Sequence, residues 1–145
     1  MAHAFAEAEA AGARGEVPVG AVIVDARTGS ILAAAGNRTE ADADPTAHAE
    51  ILAIRAATAA RGEPRLPDCD LYVTLEPCAM CAAAISFARI RRVYFGAYDA
   101  KGGAVEHGPR WFQQPTCLHR PEIYGGIDEG RAQSLLREFF ADKRD

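Results

Sequence analysis

The chain has 145 residues, 49% of them apolar and 25% charged, and its formal net charge is −4. This composition fits a globular domain with a buried core, and the acidic balance excludes indiscriminate binding to nucleic acid. No apolar run is long enough to span a bilayer, and residues 1–15 lack the basic start and apolar segment of a secretion signal. We therefore expect residues 1–145 to form one domain that stays in the cytoplasm and off membranes.

The first quarter of the chain predicts a helix followed by a β-hairpin. Residues 1–14 are rich in Ala and Glu, which favour helix, and Gly15 ends the run. Residues 17–24 and 31–35 are β-branched or apolar, and they flank a turn that contains Gly29. The two strands are expected to pair in antiparallel fashion.

A second helix is predicted from Asp44 to about Arg61. Asp is a favoured helix cap, and Pro45 suits the first helical position. The apolar residues expected to face the core are Ile51, Leu52 and Ile54.

The rest of the chain alternates predicted strands with helices. The predicted strands are 70–75, 92–96 and 122–124, and the predicted helices are 77–89 and 128–142. Residues 98–121 form a long connection rich in Gly and Pro, which in a compact domain is usually functional or carries a short helix. The element order predicts an α/β fold, a mixed five-stranded sheet between two helical layers in a three-layer α-β-α arrangement.

Two short motifs carry the chemistry of the chain. Cys78 and Cys81 lie three residues apart at the predicted start of a helix, where they share one face and where the helix dipole favours thiolates. His48 lies in the first turns of its own predicted helix, and Glu50 follows it. One imidazole and two thiolates predict one zinc ion per chain, with a fourth position open for water. We interpret Glu50 as a neighbour of that water, since on an ideal helix it points away from His48.

Two other kinds of site would also explain the cysteine pair. A fourth protein ligand would close the zinc site and make it structural, and the candidates are Cys69, Cys117, His107 and His119. A redox-active pair of the thioredoxin type is the second alternative, but it leaves the His-x-Glu motif without a role. Without such roles, Cys69 and Cys117 are expected to be inert buried thiols.

Charge is distributed unevenly along the chain. Residues 1–72 contain six basic and eleven acidic residues, whereas residues 73–145 contain ten basic and nine acidic ones. A local basic surface in the second half could contact RNA, although a solvated face is the simpler explanation. The candidates are Arg89, Arg91, Arg92, Lys101, Arg110 and Arg120.

The two motifs together are the signature of the zinc-dependent nucleobase deaminases. Several stretches further resemble the bacterial tRNA-specific adenosine deaminases of the cytidine and deoxycytidylate deaminase superfamily. These stretches are 16–22, 36–38, 46–51, 71–81, 89–90 and 95–102. The resemblance is dense from Glu16 to Gly103 and looser from Glu122 to Phe140, and residues 106–120 depart from it.

This resemblance implies a cytidine-deaminase-like fold and a homodimer. It also implies the conversion of adenosine to inosine at the wobble position of an arginine tRNA. By the same resemblance, His48, Cys78 and Cys81 bind the zinc ion, and Glu50 is the catalytic proton shuttle.

The resemblance further implies contacts to the tRNA anticodon loop. Asn37 would contact the flipped-out base and Asp99 its ribose, while Phe139 and Phe140 would lie near the RNA-binding face. Glu76, just before the cysteine motif, could cap or orient the zinc helix, or it could support the ligands from behind. The sequence leaves these two roles of Glu76 open.

Zinc chemistry accounts for the expected reaction. Zinc lowers the pKa of a bound water to about 7, so that a zinc-activated hydroxide can attack C6 of the purine. Glu50 would carry the proton to N1 and then protonate the departing amine. The base must first be flipped out of its stack, which an anticodon loop permits at low cost because its bases are unpaired.

Two other functions fit the same motifs. A deaminase of a free nucleobase or nucleoside, such as guanine or cytosine, would need no basic surface, and the acidic total favours it slightly. A non-catalytic zinc scaffold would need no carboxylate beside the metal, so the presence of Glu50 argues against it.

Overall fold

Five strands and four α-helices account for most of residues 1–144, the part of the chain that the computed structural model describes. The strands are β1 (Gly20–Asp25), β2 (Ile31–Gly36), β3 (Cys69–Leu75), β4 (Arg92–Ala97) and β5 (Glu122–Tyr124). The helices are α1 (Ala2–Ala13), α2 (Ala49–Arg61), α3 (Ala79–Phe87) and α4 (Glu129–Arg144). None of the helices in this described part is both long and apolar enough to cross a membrane.

The five strands form one mixed sheet in the order β2-β1-β3-β4-β5. β1 pairs in antiparallel fashion with both β2 and β3, whereas the pairs β3–β4 and β4–β5 are parallel. Helices α2 and α3 contact each other on one face of the sheet, and α1 and α4 contact each other on the opposite face. The predicted three-layer α/β fold with a mixed five-stranded sheet is therefore confirmed.

Strand β1 contacts a helical layer on each face of the sheet. Ala21 and Ile23 lie in the main core together with Ala53 of α2. Gly20 points to the opposite face, where a Cβ atom would collide with the carbonyl oxygen of Ala4 in α1. Helix α1 therefore lies directly on β1 because the residue at this point has no side chain.

Helix α2 begins at Ala49, so its predicted start at Asp44 and Pro45 is wrong. The Oδ1 atom of Asp44 accepts hydrogen bonds from the backbone N–H and the hydroxyl of Thr46, and these bonds close a local turn instead of capping a helix. The N-cap of α2 is His48, whose backbone is extended with φ −76° and ψ 151°.

The buried face of α2 also differs from the prediction. The buried residues of this helix are Ala49, Glu50, Ala53 and Ala57. The predicted core residues Ile51, Leu52 and Ile54 are only half-buried, and of these Ile54 packs against the main core. Small side chains face the sheet, which allows α2 to pack closely on it.

The other predicted elements are confirmed with small shifts in their bounds. The long connection carries a short 3-10 helix, Trp111–Gln113, between β4 and β5. Trp111 is half-buried against the main core and Phe112 is buried within it. Helix α3 has Cys78 as its N-cap, so both cysteines of the motif lie at the helix start as predicted.

Four strands begin or end at the same edge of the sheet. β3 and β4 are parallel neighbours, so their carboxyl ends lie side by side. β1 begins and β2 ends at the same edge, because β1 runs antiparallel to both of its neighbours. The segments beyond this edge carry Asn37 after β2, Cys78 after β3 and Asp99 after β4.

A buried carboxylate holds the loop that follows β2. Glu16 is 1% exposed, and it accepts hydrogen bonds from the Thr39 hydroxyl and from the backbone N–H groups of Glu40 and Ala41. Burial by itself raises the pKa of Glu16, but these hydrogen bonds outweigh it and hold the pKa below its usual value of 4.5. The loop after β2 is therefore tied to the segment before β1.

The lowered pKa of Glu16 makes this tie sensitive to acid. Since the pKa is lower in the folded chain, the stability that Glu16 contributes is complete above pH 4.5 and is lost as the pH falls through the folded-state pKa. We expect Glu16→Gln to lower the free energy of unfolding by about 1–3 kcal/mol at neutral pH. The deficit should shrink as the pH falls below 4.5, and urea titrations at a series of pH values measure it.

The matched control is Glu9→Gln, which removes an exposed carboxylate paired with Arg131. This change should alter the free energy of unfolding by less than about 1 kcal/mol. A Glu16→Gln deficit that is as large in acid as at neutral pH would contradict the assigned role of the carboxylate charge.

Candidate active site

Three possible metal ligands meet at the edge of the sheet. The Nδ1 atom of His48 lies 3.6 Å from the sulfur of Cys78 and 3.6 Å from the sulfur of Cys81. All three ligand atoms lie within 4.8 Å of one another. Tetrahedral zinc, with Zn–S of about 2.3 Å and Zn–N of about 2.0–2.1 Å, separates a nitrogen ligand from a sulfur ligand by about 3.5 Å. The donor atoms and their spacing therefore fit one zinc ion.

Two helix starts place these three side chains. His48 and Cys78 are the N-caps of α2 and α3, and Cys81 lies in the first turn of α3. The His48 side chain makes no capping hydrogen bond. Instead, the Oδ1 atom of Asn37 accepts a hydrogen bond of 2.8 Å from the N–H of Ala49. Asn37 thus caps α2 from another loop and leaves the His48 ring free to bind a metal.

The pKa values of the two cysteine thiols are shifted in opposite directions. Hydrogen bonding to Cys81 and the nearby His48 imidazole together lower the pKa of the Cys78 thiol to about 5. The same hydrogen bond, together with burial, raises the pKa of Cys81. Because zinc binds both sulfurs as thiolates, metal binding must release the remaining proton.

A glutamate lies beside the possible ligands. Glu50 belongs to the first turn of α2, and its residue is 4% exposed. Burial raises the pKa of its carboxyl to about 7. A carboxyl group with a pKa near neutral can both accept and donate a proton at physiological pH.

These side chains line a cavity of about 310 Å³. Five of the six predicted site residues form part of its wall, namely Asn37, His48, Glu50, Cys78 and Asp99. The sixth, Cys81, is buried next to His48. The other wall residues are Val17, Val19, Thr39, Leu75, Glu76 and Gly102. The apolar residues among them follow an ordinary strand pattern, so the sequence contains no signal that marks them as part of a site.

Asp99 faces the cavity from the loop after β4. Its Oδ1 atom accepts hydrogen bonds from the backbone N–H groups of Lys101 and Gly102. Its Oδ2 atom accepts none from the side chains and backbone that the structure describes, and it is available to a ligand. The turn therefore fixes one carboxylate oxygen and presents the other.

A larger groove of about 910 Å³ adjoins the cavity. The two share the residues Val17, Leu75, Asp99 and Gly102. The rest of the groove comes from the loop after β4 and from α4, and its residues are Tyr98, Lys101, Leu136, Arg137, Phe140 and Ala141. Of the predicted aromatic pair, Phe140 lines the groove, and Phe139 is half-buried beside it with ring centroids 5.3 Å apart.

The predicted basic surface is partly neutralised. Arg91 pairs with Asp70, and Arg92 pairs with Glu122. Among the six basic candidates, Lys101 lines the groove. The positive charge next to the cavity therefore comes from a few side chains and not from a broad basic face.

Glu76 makes contacts that the sequence could not assign. Its buried carboxylate accepts hydrogen bonds from the loop that begins at Asp99, including one of 2.8 Å from the Nδ1 atom of His107. Burial by itself raises the pKa of Glu76, but the hydrogen bonds from Asp99, His107 and Glu106 outweigh it and lower the pKa. Glu76 therefore supports the neighbouring loop and does not cap α3.

The candidates for a fourth zinc ligand lie elsewhere. Cys69 and Cys117 are buried in the main core. His107 hydrogen-bonds to a carboxylate and His119 to a backbone carbonyl. Among the side chains of residues 1–143, none joins the cluster as a fourth ligand. Three protein ligands and an open position are typical of catalytic zinc.

Comparisons with known proteins agree with this site. Residues 1–97 match the family model of the cytidine and deoxycytidylate deaminase zinc-binding region. A tRNA-specific adenosine deaminase of Agrobacterium fabrum is 59% identical over 99% of this chain and 93% of its own length. A solved structure from a study of A-to-I editing by tRNA:A34 deaminases is also 59% identical, with a TM-score of 0.91 over 94% of this chain and 97% of that one. The guanine deaminase of Bacillus subtilis is 32% identical, with a TM-score of 0.64 over 99% of this chain and 91% of its own.

Both zinc motifs lie within the region that matches the family model. The match and the three-ligand cluster together support one zinc ion per chain. The similarity to an adenosine deaminase, moreover, extends over nearly the whole chain and not only over the motifs. The chain thus belongs to the tRNA-specific adenosine deaminases, within the family of zinc-binding cytidine and deoxycytidylate deaminases.

Proposed function

We propose that this protein converts adenosine to inosine at the wobble position of tRNA, in the anticodon of an arginine tRNA. The observation that carries the proposal is the cavity in which a buried glutamate adjoins three possible zinc ligands. Relatives that share 59% of its residues over nearly the whole chain are tRNA adenosine deaminases. The reaction consumes one water molecule and releases ammonia.

His48, Cys78 and Cys81 hold the zinc ion in this proposal. Zinc with three protein ligands makes a water molecule at its open position nucleophilic at neutral pH. The chain supplies one imidazole and two thiolates from the starts of two helices, where the helix dipoles stabilise negative charge.

Glu50 is the proposed catalytic base and acid. It accepts a proton from the attacking water and delivers that proton to N1 of the purine as C6 becomes tetrahedral. It then passes the second proton of that water to the amine on C6, which leaves as ammonia. Burial raises the pKa of the Glu50 carboxyl, which favours proton transfer in both directions near neutral pH.

Asn37 and Asp99 are the proposed contacts to the target nucleotide. Because the Oδ1 atom of Asn37 already bonds to Ala49, the NH₂ group of this side chain is the end that can donate to the base. The Oδ2 atom of Asp99 can accept a hydrogen bond from a ribose 2′-hydroxyl, which DNA lacks. An anticodon loop presents an unpaired base, which reduces the cost of flipping it into the cavity.

In the same proposal, the 145 residues form one deaminase domain. Two chains form a homodimer, which binds the tRNA in the cytoplasm. The exposure of two large apolar residues is the evidence for a dimer, because Phe87 is 72% and Leu118 81% exposed. Ser86 hydrogen-bonds to the Cys117 sulfur and to the His119 carbonyl, and these bonds hold the segments that carry Phe87 and Leu118 together. An exposed apolar patch of this kind is typical of a protein contact surface.

Deamination of a free nucleobase is the second candidate function. It is favoured by the similarity to the guanine deaminase of Bacillus subtilis, at 32% identity, and it is compatible with the net charge of −4. Two observations favour tRNA instead. The identity to the A34 deaminase structure is 59%, and the cavity opens beside a groove of about 910 Å³ that a free base would leave unfilled.

The substrate can be tested by measuring ammonia release. Zinc-replete protein should deaminate an anticodon stem-loop of arginine tRNA with a kcat/KM at least about 100-fold higher than for free adenine, guanine or cytosine, because contacts outside the base contribute binding energy. A stem-loop with guanosine at the wobble position is the control and should release no ammonia. Release from a free base and not from the stem-loop would favour the second candidate.

The proton shuttle and the zinc site can be separated by substitution. Glu50→Ala should keep one zinc ion per chain and lose at least about 100-fold in kcat, because a general acid and base is removed. His48→Ala should lose the zinc as well, which metal analysis of the purified protein measures. Glu63→Ala, in an exposed loop, is the control for loss of a carboxylate. A fully active Glu50→Ala enzyme would rule out the shuttle.

The ribose contact can be tested by an isosteric change. Asp99→Asn keeps an acceptor for the turn at Oδ1 and replaces the free Oδ2 acceptor by an amide donor. We expect the ratio of kcat/KM on RNA to that on the matched DNA stem-loop to fall about tenfold, since one hydrogen bond to a charged group is lost. An unchanged ratio would count against the contact.

A further inference from the structure

Glu76 gathers five hydrogen bonds from one loop. Its side chain is completely buried. The Oε2 atom accepts hydrogen bonds from the backbone N–H groups of Val105, Glu106 and His107. The Oε1 atom accepts one of 2.9 Å from the backbone N–H of Asp99 and one of 2.8 Å from the Nδ1 atom of His107. A single carboxylate thus connects both ends of this loop.

The loop, residues 99–107, fits closely around the carboxylate. The backbone N–H of Ala104 donates a hydrogen bond of 2.9 Å to the carbonyl of Pro77. A Cβ atom at Gly103 would lie 2.5 Å from Cδ and 2.6 Å from Oε2 of Glu76, which is closer than atoms can approach without displacement. The 99–107 loop is therefore built around a carboxylate at this position, with a glycine where it passes nearest.

Glu76 lies between the two halves of the proposed site. It comes two residues before Cys78, and its Oε1 atom holds the backbone of Asp99. The carbonyl of Asp99 accepts a hydrogen bond of 2.9 Å from the N–H of Gly103, so this residue is held on both sides. Because Oδ1 of Asp99 is fixed within the same turn, the position of its backbone determines where the free Oδ2 atom points.

We propose that Glu76 is a positioning residue that aims the Asp99 carboxylate at the ribose through its hydrogen bond to the Asp99 backbone, and that it thereby sets the preference for RNA over DNA. The inference rests on the proposed function for its kinetic consequence. Both oxygens of Glu76 are engaged by the 99–107 loop, so it acts through Asp99 and not on the substrate.

Glu76→Gln should remove one hydrogen bond, the one that Glu76 accepts from the backbone N–H of Asp99. An amide nitrogen at the Oε2 position would face three backbone N–H groups, none of which can accept a hydrogen bond. At the Oε1 position it would face the Asp99 N–H and the His107 ring, and a ring nitrogen can change from donor to acceptor. The amide nitrogen therefore takes the Oε1 position, and Asp99 loses its partner.

The kinetic test compares matched RNA and DNA stem-loops. In Glu76→Gln, the ratio of kcat/KM on RNA to that on DNA should fall about tenfold, mainly through KM, while one zinc ion per chain is retained. The double variant with Asp99→Asn should show no lower ratio than Asp99→Asn alone, because both changes remove the same contact. A wild-type ratio in Glu76→Gln, or additive effects in the double variant, would overturn the positioning role.

Asp25→Asn is the matched control. Asp25 is also a buried carboxylate, but it bonds to Arg27 and Arg61 and lies at the other end of β1 from the cavity. This variant should be less stable and keep the wild-type ratio of RNA to DNA activity. If the ratio of RNA to DNA activity fell as far in Asp25→Asn as in Glu76→Gln, general destabilisation would be the cause of both falls.

Amide hydrogen exchange tests the positioning without an activity assay. In the unmodified protein, the N–H of Asp99 should exchange as slowly as the amides of β4, although it lies in a loop. In Glu76→Gln its protection should fall at least about tenfold, while the amides of β3 and β4 keep theirs. An unprotected Asp99 amide in the unmodified protein would overturn the proposal even if Glu76→Gln does not fold. Failure of the unmodified enzyme on RNA would instead overturn the proposed function.

Discussion

The parallel pairing of β3 and β4 is the constraint on which the site depends. It brings the ends of these strands side by side, so that Cys78 after β3 and Asp99 after β4 face one cavity. The antiparallel partners β1 and β2 add Val17 and Asn37 from the same edge. Helices α2 and α3 begin at this edge, and the positive ends of their dipoles point toward the thiols of the three-ligand cluster. Any rearrangement of this sheet edge would separate the ligands from the residues proposed to contact the nucleotide.

Three buried glutamates show how the surroundings of a carboxyl group decide its chemistry. Glu16 and Glu76 each accept several hydrogen bonds from loop N–H groups, and their pKa values are lowered despite burial. Glu50 is also buried, and there desolvation dominates and raises its pKa to about 7. The first two carboxylates stay charged and hold loops, whereas the third can gain and lose a proton. The structural and the proposed catalytic acids thus differ in their hydrogen-bond donors and in how strongly burial acts on the carboxyl group.

The sequence predicts the possible ligands better than the contacts that hold them. Cys78 and Cys81 are neighbours on one helix, so a short motif suffices to mark them, and the apolar patterns predict all five strands but not their order in the sheet. The predicted helix start at Asp44 fails because a side chain that bonds to nearby N–H groups suits a turn as well as a cap. The hydrogen bonds to Glu76 come from residues 23 to 31 positions later, and most are from backbone N–H groups that nearly every residue carries. Such a contact leaves no pattern in the sequence.

The net charge of −4 has a consequence for how RNA can be selected. An acidic protein gains little from general attraction to phosphates, so most RNA segments are bound weakly. Selective binding must then come from local contacts, and the groove beside the cavity offers the cations Lys101 and Arg137 next to the exposed rings of Tyr98 and Phe140. The cavity of about 310 Å³ is the proposed place for a nucleotide that leaves its stack, and Asp99 is the proposed acceptor for its 2′-hydroxyl. The acidic composition therefore suits a proposed tRNA enzyme, because weak general binding leaves recognition to the one nucleotide that fits.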